Sequence, residues 1–339
     1  MAGVETAEED MTVLVLLSCF SAKKVKYIRI PGAEEGIALC PGIHTPLTVR
    51  VKQSNGRVRT TGKRGREGLK WNEVIVRMNE RSFEDGSIWL SADPRKSYEQ
   101  SFALEVFLVD RPEIAFSTTV TARYDCAFVA DFTGYSGEIG SDDSIFAHSG
   151  WDGVDGGHGG HAGSAEAYVT MVEGPDGRDF IQARVTGYTN PERRTDLYFL
   201  IDPDGGELII DVSGGPGGAG ESGHDGDDGD DGEEDEDGDV GWGEDGDDGG
   251  NGGDGGDGGD GGSATVVLDP SVEPHGHLVS VRNAGGASGA GGTGGDGGWG
   301  GSGTPDGSTG SDGYAGRDGR PGRPGPSPEV RVEEVHKQF

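Results

Sequence analysis

Residues 249–262 read GGNGGDGGDGGDGG, and this stretch decides how the second half of the chain folds. Glycine fills two positions of every triplet, and the third position holds Asn251, Asp254, Asp257 or Asp260. A polyproline-II-type helix has three residues per turn and rises about 3.1 Å per residue, so every third residue lies along one edge. Such a helix makes no internal hydrogen bonds, and glycine lets its backbone lie directly against neighbouring helices. The stretch therefore predicts a polyglycine-II helix with two packed edges and an acidic edge that faces water.

The same three-residue register of glycine holds elsewhere in this half of the chain. It runs from Gly214 to Gly241 (with Asp235 in one glycine position), from Gly243 to Gly261, from Gly286 to Gly301 and from Gly307 to Gly325. Segments with strand character alternate with these tracts, at 165–172, 180–186, 196–201, 207–212, 264–268 and 277–282. A disordered low-complexity segment is the alternative that composition alone favours, but it has no reason to keep a phase. We therefore predict a polyglycine-II bundle over 134–328, braced by β-hairpins.

Residues 24–133 have the character of an ordinary β domain. Seven short β-branched or alternating segments recur there, at 47–51, 57–61, 73–77, 87–91, 102–109, 114–121 and 127–132. Asn55-Gly56 lies between the first two segments, and this dipeptide is typical of a tight hairpin. Seven strands in a domain of this length predict an immunoglobulin-like β-sandwich. The predicted fold is thus all-β plus a polyglycine-II bundle, with a C-terminal strand or tail at 329–339.

The charge of the chain is confined to its second part. Residues 1–133 carry 18 basic and 18 acidic residues, whereas the remainder carries 10 basic against 43 acidic residues and accounts for the net charge of −33. Binding to nucleic acid requires clustered lysine and arginine, so this balance argues against a nucleic-acid partner. It favours either an exterior that repels other copies or one that binds cations.

The N-terminal residues 1–23 allow two interpretations. Leu16-Leu17-Ser18-Cys19 follows a short apolar stretch and has the form of a bacterial lipobox, in which Cys19 would carry a lipid anchor. The acidic first ten residues are unlike an export signal, and a buried β-strand is the alternative. We favour the lipid anchor. No apolar run reaches the ~20 residues of a transmembrane helix. Cys40 and Cys126 are candidates for a disulfide in an exported protein.

One segment has the spacing of a calcium-binding loop. Residues 233–244 read EEDEDGDVGWGE and place candidate oxygen ligands at Glu233, Asp235, Asp237, Asp239 and Glu244. Glutamate suits the first position of such a loop poorly, and no helix is predicted on either flank. A charged, solvated loop is the alternative. His158 and His161 would lie about 9 Å apart on an extended helix, which is too far for one shared metal ion.

Most of the chain resembles a known family. The residues concerned are Leu16–Cys19, KKVKYIRIPG at 23–32, PLTVRVKQSNG at 46–56 and the later GGDGGDGGDGG blocks. They resemble glycine-rich, collagen-like surface lipoproteins of Bacteroidota. The glycine-rich half is also similar to the glycine-helix domain of Obg-type GTPases and to the polyglycine bundles of phage adhesins and springtail antifreeze proteins. The resemblance implies an extracellular location at a bacterial cell surface and a polyglycine-II fold.

These observations predict a non-enzymatic structural or adhesive surface protein that acts as a stiff spacer or display element. Its partner would be a surface ligand or other copies of itself, and no cofactor is predicted. A module that folds or assembles on Ca²⁺ is the first alternative, and an ice-binding protein is the second.

Overall fold

A computed structural model of the chain describes residues 25–78, 83–98, 101–141, 149–174, 177–190, 193–234, 236 and 238–338. These residues form a mainly β protein with five sheets, one short α-helix and three 3-10 turns. The chain divides into two compact units. The first takes the residues up to Leu90 and Glu99–Ala122, and the second takes Ser91–Tyr98 and all residues from Arg123. The predicted all-β class is confirmed, whereas the boundary at residue 133 differs from the division at Ala122.

Within the described residues, the first unit contains eleven strands in three sheets. They are β1 (Val25–Arg29), β2 (Ile37–Leu39), β3 (Thr45–Pro46), β4 (Arg50–Gln53), β5 (Val58–Thr61), β6 (Gly68–Leu69), β7 (Val74–Met78), β8 (Phe83–Glu84), β9 (Ser87–Ile88), β10 (Ser101–Leu108) and β11 (Arg111–Ala122). The strand orders are β1-β4-β5-β6, β2-β11-β10-β7 and β3-β9-β8. Short 3-10 turns lie at Gly65–Glu67 and Trp71–Glu73.

The two four-stranded sheets of this unit share one hydrophobic core. Along the first part of β10, Phe102, Leu104 and Val106 are buried while the residues between them are exposed, which is the alternation expected of a strand with one buried face. These side chains belong to the same core cluster as Ile28 from β1 and Val51 from β4. The core therefore holds the two sheets together.

The hairpin predicted at Asn55-Gly56 is confirmed. Strands β4 and β5 pair antiparallel, the Gln53 amide donates to the Arg57 carbonyl at 2.8 Å, and Gly56 has a φ of 85°, a conformation that suits glycine. The immunoglobulin-like arrangement is not shown, since β2–β11 and β5–β6 pair in parallel. The predicted seventh strand at 127–132 forms, but it lies in the second unit.

The part of the second unit that the structure describes contains one helix and eight strands. They are α1 (Pro94–Ser97), β12 (Ala127–Asp131), β13 (Ser164–Glu173), β14 (Asp179–Asn190), β15 (Arg193–Ile201), β16 (Glu207–Asp211), β17 (Ser263–Leu268), β18 (Val279–Arg282) and β19 (Glu329–Val332). Their orders are β12-β16-β18 and β15-β14-β13-β17-β19. A 3-10 turn spans Glu273–Leu278.

Six segments that are neither helix nor strand connect these strands within the described residues, and we call them the glycine runs. They are run 1 (134–140), run 2 (150–163), run 3 (214–232), run 4 (243–262), run 5 (285–303) and run 6 (307–325). The odd runs follow β12, β16 and β18, which pair with one another in parallel. The even runs precede β13, β17 and β19, which also pair in parallel. The unit is therefore a threefold repeat of strand, outgoing run, returning run and strand.

This repeat corrects the predicted hairpin brace. Strands β13, β14 and β15 do form antiparallel hairpins, but Glu207–Asp211 pairs with β12 and β18 rather than with β15. Strand β17 likewise pairs with β13 and β19, not with β18. The odd runs form hydrogen bonds with one another, and so do the even runs. The strands that adjoin each set of runs therefore lie side by side and pair in parallel.

The last residues of the chain fold back onto the five-stranded sheet. After β19, the Glu333 amide donates to the Leu268 carbonyl at 3.0 Å, and the Gln338 amide donates to the side chain of Gln182 in β14 at 2.6 Å. Val335 is buried. The predicted C-terminal strand is thus limited to Glu329–Val332, and the residues after it form a tail that crosses the sheet.

Candidate functional site

The backbones of the six glycine runs are joined in a continuous ladder. Every third amide from Gly217 to Gly232 in run 3 donates to run 5, with N–O distances of 2.8 Å. Every third amide from Gly246 to Gly261 in run 4 donates to run 6 at 2.8–2.9 Å. Other amides of run 4 donate to run 3, so the odd and even sets are also joined to each other. The described residues of each run make no hydrogen bonds within that run, so this ladder supplies the partners of the glycine amides named above.

Glycine is required where two runs cover each other. A Cβ atom on Gly256 would lie 1.9 Å from the Gly157 carbonyl oxygen, and one on Gly218 would lie 1.8 Å from that of Glu138. Gly217 of the same triplet would likewise place a Cβ atom 2.0 Å from the Gly256 carbonyl oxygen. Both glycines of this triplet are therefore needed, because each lies against a different neighbouring run.

The third residue of each triplet has a bonding role that the sequence analysis missed. Side chains of run 2 accept hydrogen bonds from the amides at 251, 254, 257 and 260 of run 4. The acceptor atoms are Asp152 Oδ1 (2.6 Å), Asp155 Oδ1 (2.7 Å), His158 Nδ1 (2.9 Å) and His161 Nδ1 (2.8 Å). These amides have no partner in the backbone ladder. The side chains therefore satisfy the donors that the ladder leaves over.

Side chains of run 4 accept hydrogen bonds from the amides of run 6 in the same way. The amides of Arg317, Arg320 and Arg323 donate to Oδ1 of Asp254, Asp257 and Asp260 at 2.7, 2.6 and 2.7 Å, respectively. Asn251 accepts from the Tyr314 amide at 2.9 Å, so an amide side chain serves as well as a carboxylate. We call the four residues 251, 254, 257 and 260 the capping column. The predicted acidic edge is therefore not merely solvated, because one oxygen of each side chain is bonded to run 6.

The odd runs use the same device. Asp225, Asp228 and Asp231 of run 3 accept from the amides of Asp296, Trp299 and Ser302 of run 5, at 2.9, 2.7 and 2.6 Å. The signal in the sequence was available. Third positions of runs 2, 3 and 4 hold aspartate, asparagine, histidine and serine at most places, and all of these bear an acceptor.

The predicted calcium loop lies at the turn between runs 3 and 4. Asp235 and Asp237 lie outside the described residues. Of the others, the Glu233 carbonyl accepts a hydrogen bond from the Gly241 amide at 2.9 Å. The Glu244 amide, at the start of run 4, donates to the Asp230 carbonyl of run 3 at 2.9 Å. Glu234 and Val240 form an isolated antiparallel bridge. Within the described residues, no group of three or more His, Cys, Asp or Glu side chains is arranged to hold a metal ion. Asp239, a described residue of the predicted loop, therefore belongs to no such group.

The structure joins Cys40 and Cys126 in a disulfide, while Cys19 and the rest of the predicted anchor segment lie outside the described residues. No helix among the described residues is both long and apolar enough to span a membrane. His158 and His161 occupy successive triplets of run 2, and each accepts a hydrogen bond from a backbone amide of run 4.

An open cleft of ≈340 Å³ lies in the first unit, between Ile30–Ala33, Gly36–Ala38 and Thr45–Thr48, with Ile88 at its base. Its lining carries no titratable side chain. In the second unit the side chains of Tyr135, Trp242, Trp299 and Tyr314 are largely exposed. Trp299 belongs to run 5, Tyr314 belongs to run 6, and Trp242 lies in the turn between runs 3 and 4.

Hydrogen bonding lowers the pKa of carboxyl groups in the second unit, among them Asp269 and Asp196. The Ser271 hydroxyl and the Val335 amide, which donates at 3.0 Å, lower the pKa of Asp269. The Thr186 hydroxyl, followed by Arg184, lowers the pKa of Asp196. Each group favours the folded state above the usual carboxyl pKa, and this contribution is lost as the pH falls through the lowered pKa. Acid therefore loosens the C-terminal tail held by Asp269.

Tyr124 is the strongest case of a shifted pKa. It lies in an aromatic cluster with Tyr98 and Phe180, at ring-centroid distances of 6.0 and 5.9 Å, and only 7% of it is exposed. Burial raises the pKa of Tyr124 to about 12. An unfolded tyrosine titrates near 10, so the folded state holds this proton more tightly. The stabilisation is fully present below pH 10 and is lost between about pH 10 and pH 12.

We therefore expect the free energy of unfolding to fall by about 2–3 kcal/mol between pH 9 and pH 12, since each pKa unit corresponds to about 1.4 kcal/mol. Urea titrations of the full chain followed by circular dichroism measure this fall. Tyr124→Phe should remove most of the alkaline loss, whereas Tyr314→Phe at an exposed site should leave it unchanged. Equal alkaline losses in the two variants would contradict the assignment.

Comparisons with models of protein families, with curated proteins and with solved structures find no match to this chain.

Proposed function

We propose that this chain is a non-enzymatic structural or adhesive protein of a bacterial cell surface, in which a polyglycine-II bundle acts as a stiff spacer or display element. The observation that carries the proposal is the ladder of hydrogen bonds that links all six glycine runs at every third residue. A segment whose backbone is bonded to neighbouring runs on several sides cannot bend like a free linker. The bundle is therefore suited to hold its far turns at a fixed distance from its sheets.

The length of the runs supports the role of a spacer. Run 3 spans residues 214–232 and run 4 spans 243–262. At about 3.1 Å per residue, each would extend for roughly 60 Å if it keeps the polyglycine-II rise. For the first unit, we propose an immunoglobulin-like sandwich, which the shared core of its two four-stranded sheets supports. We further propose a surface ligand or other copies of this chain as partners, and a lipid anchor at Cys19.

An extracellular location is supported by the disulfide between Cys40 and Cys126, because disulfides persist in oxidising compartments. The excess of acidic residues in the second half of the chain supports a water-exposed role for that half. Antibody labelling of intact cells, compared with permeabilised cells of the organism that makes the chain, tests the location. Labelling that appears only after permeabilisation would rule out the surface.

The structural role predicts a fold that does not depend on calcium. The carboxylates of the capping column already accept amide hydrogen bonds, so the runs can associate without an ion. We expect the full chain to melt cooperatively by circular dichroism at the same temperature with Ca²⁺ and with a chelator, and to resist proteinase K in both conditions. A transition that appears only with Ca²⁺ would instead support a calcium-binding module. The absence of any cooperative transition would refute the spacer.

A further inference from the structure

The four acceptors that join run 2 to run 4 are of two chemical kinds. Toward the far end of the runs they are the carboxylates of Asp152 and Asp155, and next to the sheets they are the imidazoles of His158 and His161. All four accept the same kind of bond, from a backbone amide in the equivalent position of run 4. The contact therefore contains its own comparison between carboxylate and imidazole acceptors.

An imidazole nitrogen can accept an N–H only while it carries no proton itself. The bonds at His158 Nδ1 and His161 Nδ1 thus require neutral rings with the proton on Nε2. A protonated ring bears hydrogen on both nitrogens, and its Nδ1–H would then point at the amide N–H. Histidine is the side chain that ordinarily changes charge between pH 5 and pH 8, whereas aspartate stays ionised throughout this range.

We propose that the contact between runs 2 and 4 is a pH-responsive seam, in which protonation of His158 and His161 releases the amides of Asp257 and Asp260. The bonds at Asp152 and Asp155 persist under the same conditions. Mild acid therefore loosens the part of run 2 next to the sheets, and leaves its far part attached to run 4.

The charges around the two histidines keep this change local. From run 4, Asp257 and Asp260 face them, and His161 Nδ1 lies 3.8 Å from Asp260 Oδ2. From run 1, Glu138 lies beside Gly157, and within run 2 the nearest carboxylate is Asp155 one triplet away. Run 3 contributes the uncharged Gly215 and Gly218 at this level. A protonated ring at His161 can therefore pair with Asp260 Oδ2 in place of the Asp260 amide, while the far part of run 2 keeps its carboxylate bonds to run 4.

The first test measures amide protection in the full chain. Hydrogen exchange by NMR at pH 7.5 and pH 5.5 gives protection factors for the amides of residues 251, 254, 257 and 260. Loss of one hydrogen bond corresponds to about a threefold to tenfold loss of protection. We expect that loss at Asp257 and Asp260 in acid, relative to Asn251 and Asp254. An equal pH response at all four amides would overturn the proposal.

Two further measurements separate a titrating seam from general loosening. Nitrogen-15 spectra of the histidine rings should show the Nε2–H tautomer for His158 and His161 at pH 7.5, and the opposite tautomer would overturn the proposal. His158→Asn with His161→Asn supplies an acceptor that does not titrate, as Asn251 already does for run 6. This variant should keep full protection at pH 5.5. A remaining pH response in the variant would also overturn the proposal.

Discussion

Gly256→Ala is expected to disrupt the glycine-rich half of the chain. The added methyl group would lie 1.9 Å from the Gly157 carbonyl oxygen, and that oxygen belongs to a backbone held in the ladder on other sides. No side-chain rotation can relieve such a contact, so run 2 must leave run 4. Insertion of a methyl group into a packed site typically costs 1–3 kcal/mol, and we expect about 3 kcal/mol or more here. Urea unfolding of the full chain by circular dichroism measures the loss.

Gly276→Ala is the matched control. It adds the same methyl group to the same unit, but the nearest atom is the flexible Leu268 Cδ1 at 3.3 Å. Its effect should remain within about 0.5 kcal/mol, as for most substitutions away from tight packing. A Gly256→Ala protein that unfolds at the same urea concentration as the Gly276→Ala protein would show that runs 2 and 4 are not packed as described.

Removal of the three carboxylates of the capping column is expected to weaken the attachment of run 6 to run 4. In the triple variant Asp254→Ala, Asp257→Ala and Asp260→Ala, the amides of Arg317, Arg320 and Arg323 lose their acceptors. A hydrogen bond contributes about 0.5–1.5 kcal/mol, so the free energy of unfolding should fall by about 2–4 kcal/mol. Hydrogen exchange at the three arginine amides locates the loss, and unfolding by urea measures its size.

The corresponding triple replacement by asparagine keeps an acceptor oxygen at each site and removes three negative charges. Asn251 already accepts the Tyr314 amide in this column, so we expect the asparagine variant to be as stable as the original chain. If the alanine and asparagine variants are equally destabilised, then the negative charge rather than the hydrogen bond is what matters. That result would favour the calcium-binding alternative.

Periodicity was a sound guide within single elements. The hairpin at Asn55-Gly56 and the strand segments near the glycine runs could be predicted because turn chemistry and alternation act over a few residues. The partners of those strands could not be predicted in this way. Strand β16 follows a turn after β15 and would form a hairpin on local grounds, yet it pairs with β12 and β18. Its choice depends on residues more than 60 positions away.

The role of the third positions shows a similar limit. The sequence predicts that Asp254, Asp257 and Asp260 lie along one edge of a helix with three residues per turn. It does not predict which segment of the chain lies beside that edge. Run 6 lies 63 residues further along, and only its position beside run 4 turns those carboxylates into acceptors for its amides. The bonding role of His158 and His161 could not be predicted for the same reason, because their partners are 99 residues distant.

The sequence by itself determined the β character of the chain, its acidic second half and the three-residue register of its glycines. Each of these follows from composition or short-range pattern, which act through local geometry and charge. The tertiary structure alone decided which runs lie side by side, in which order the parallel strands pair, and which side chain satisfies which amide. These are long-range choices, and they arise because the amides of the glycine runs have their hydrogen-bond partners in distant parts of the chain.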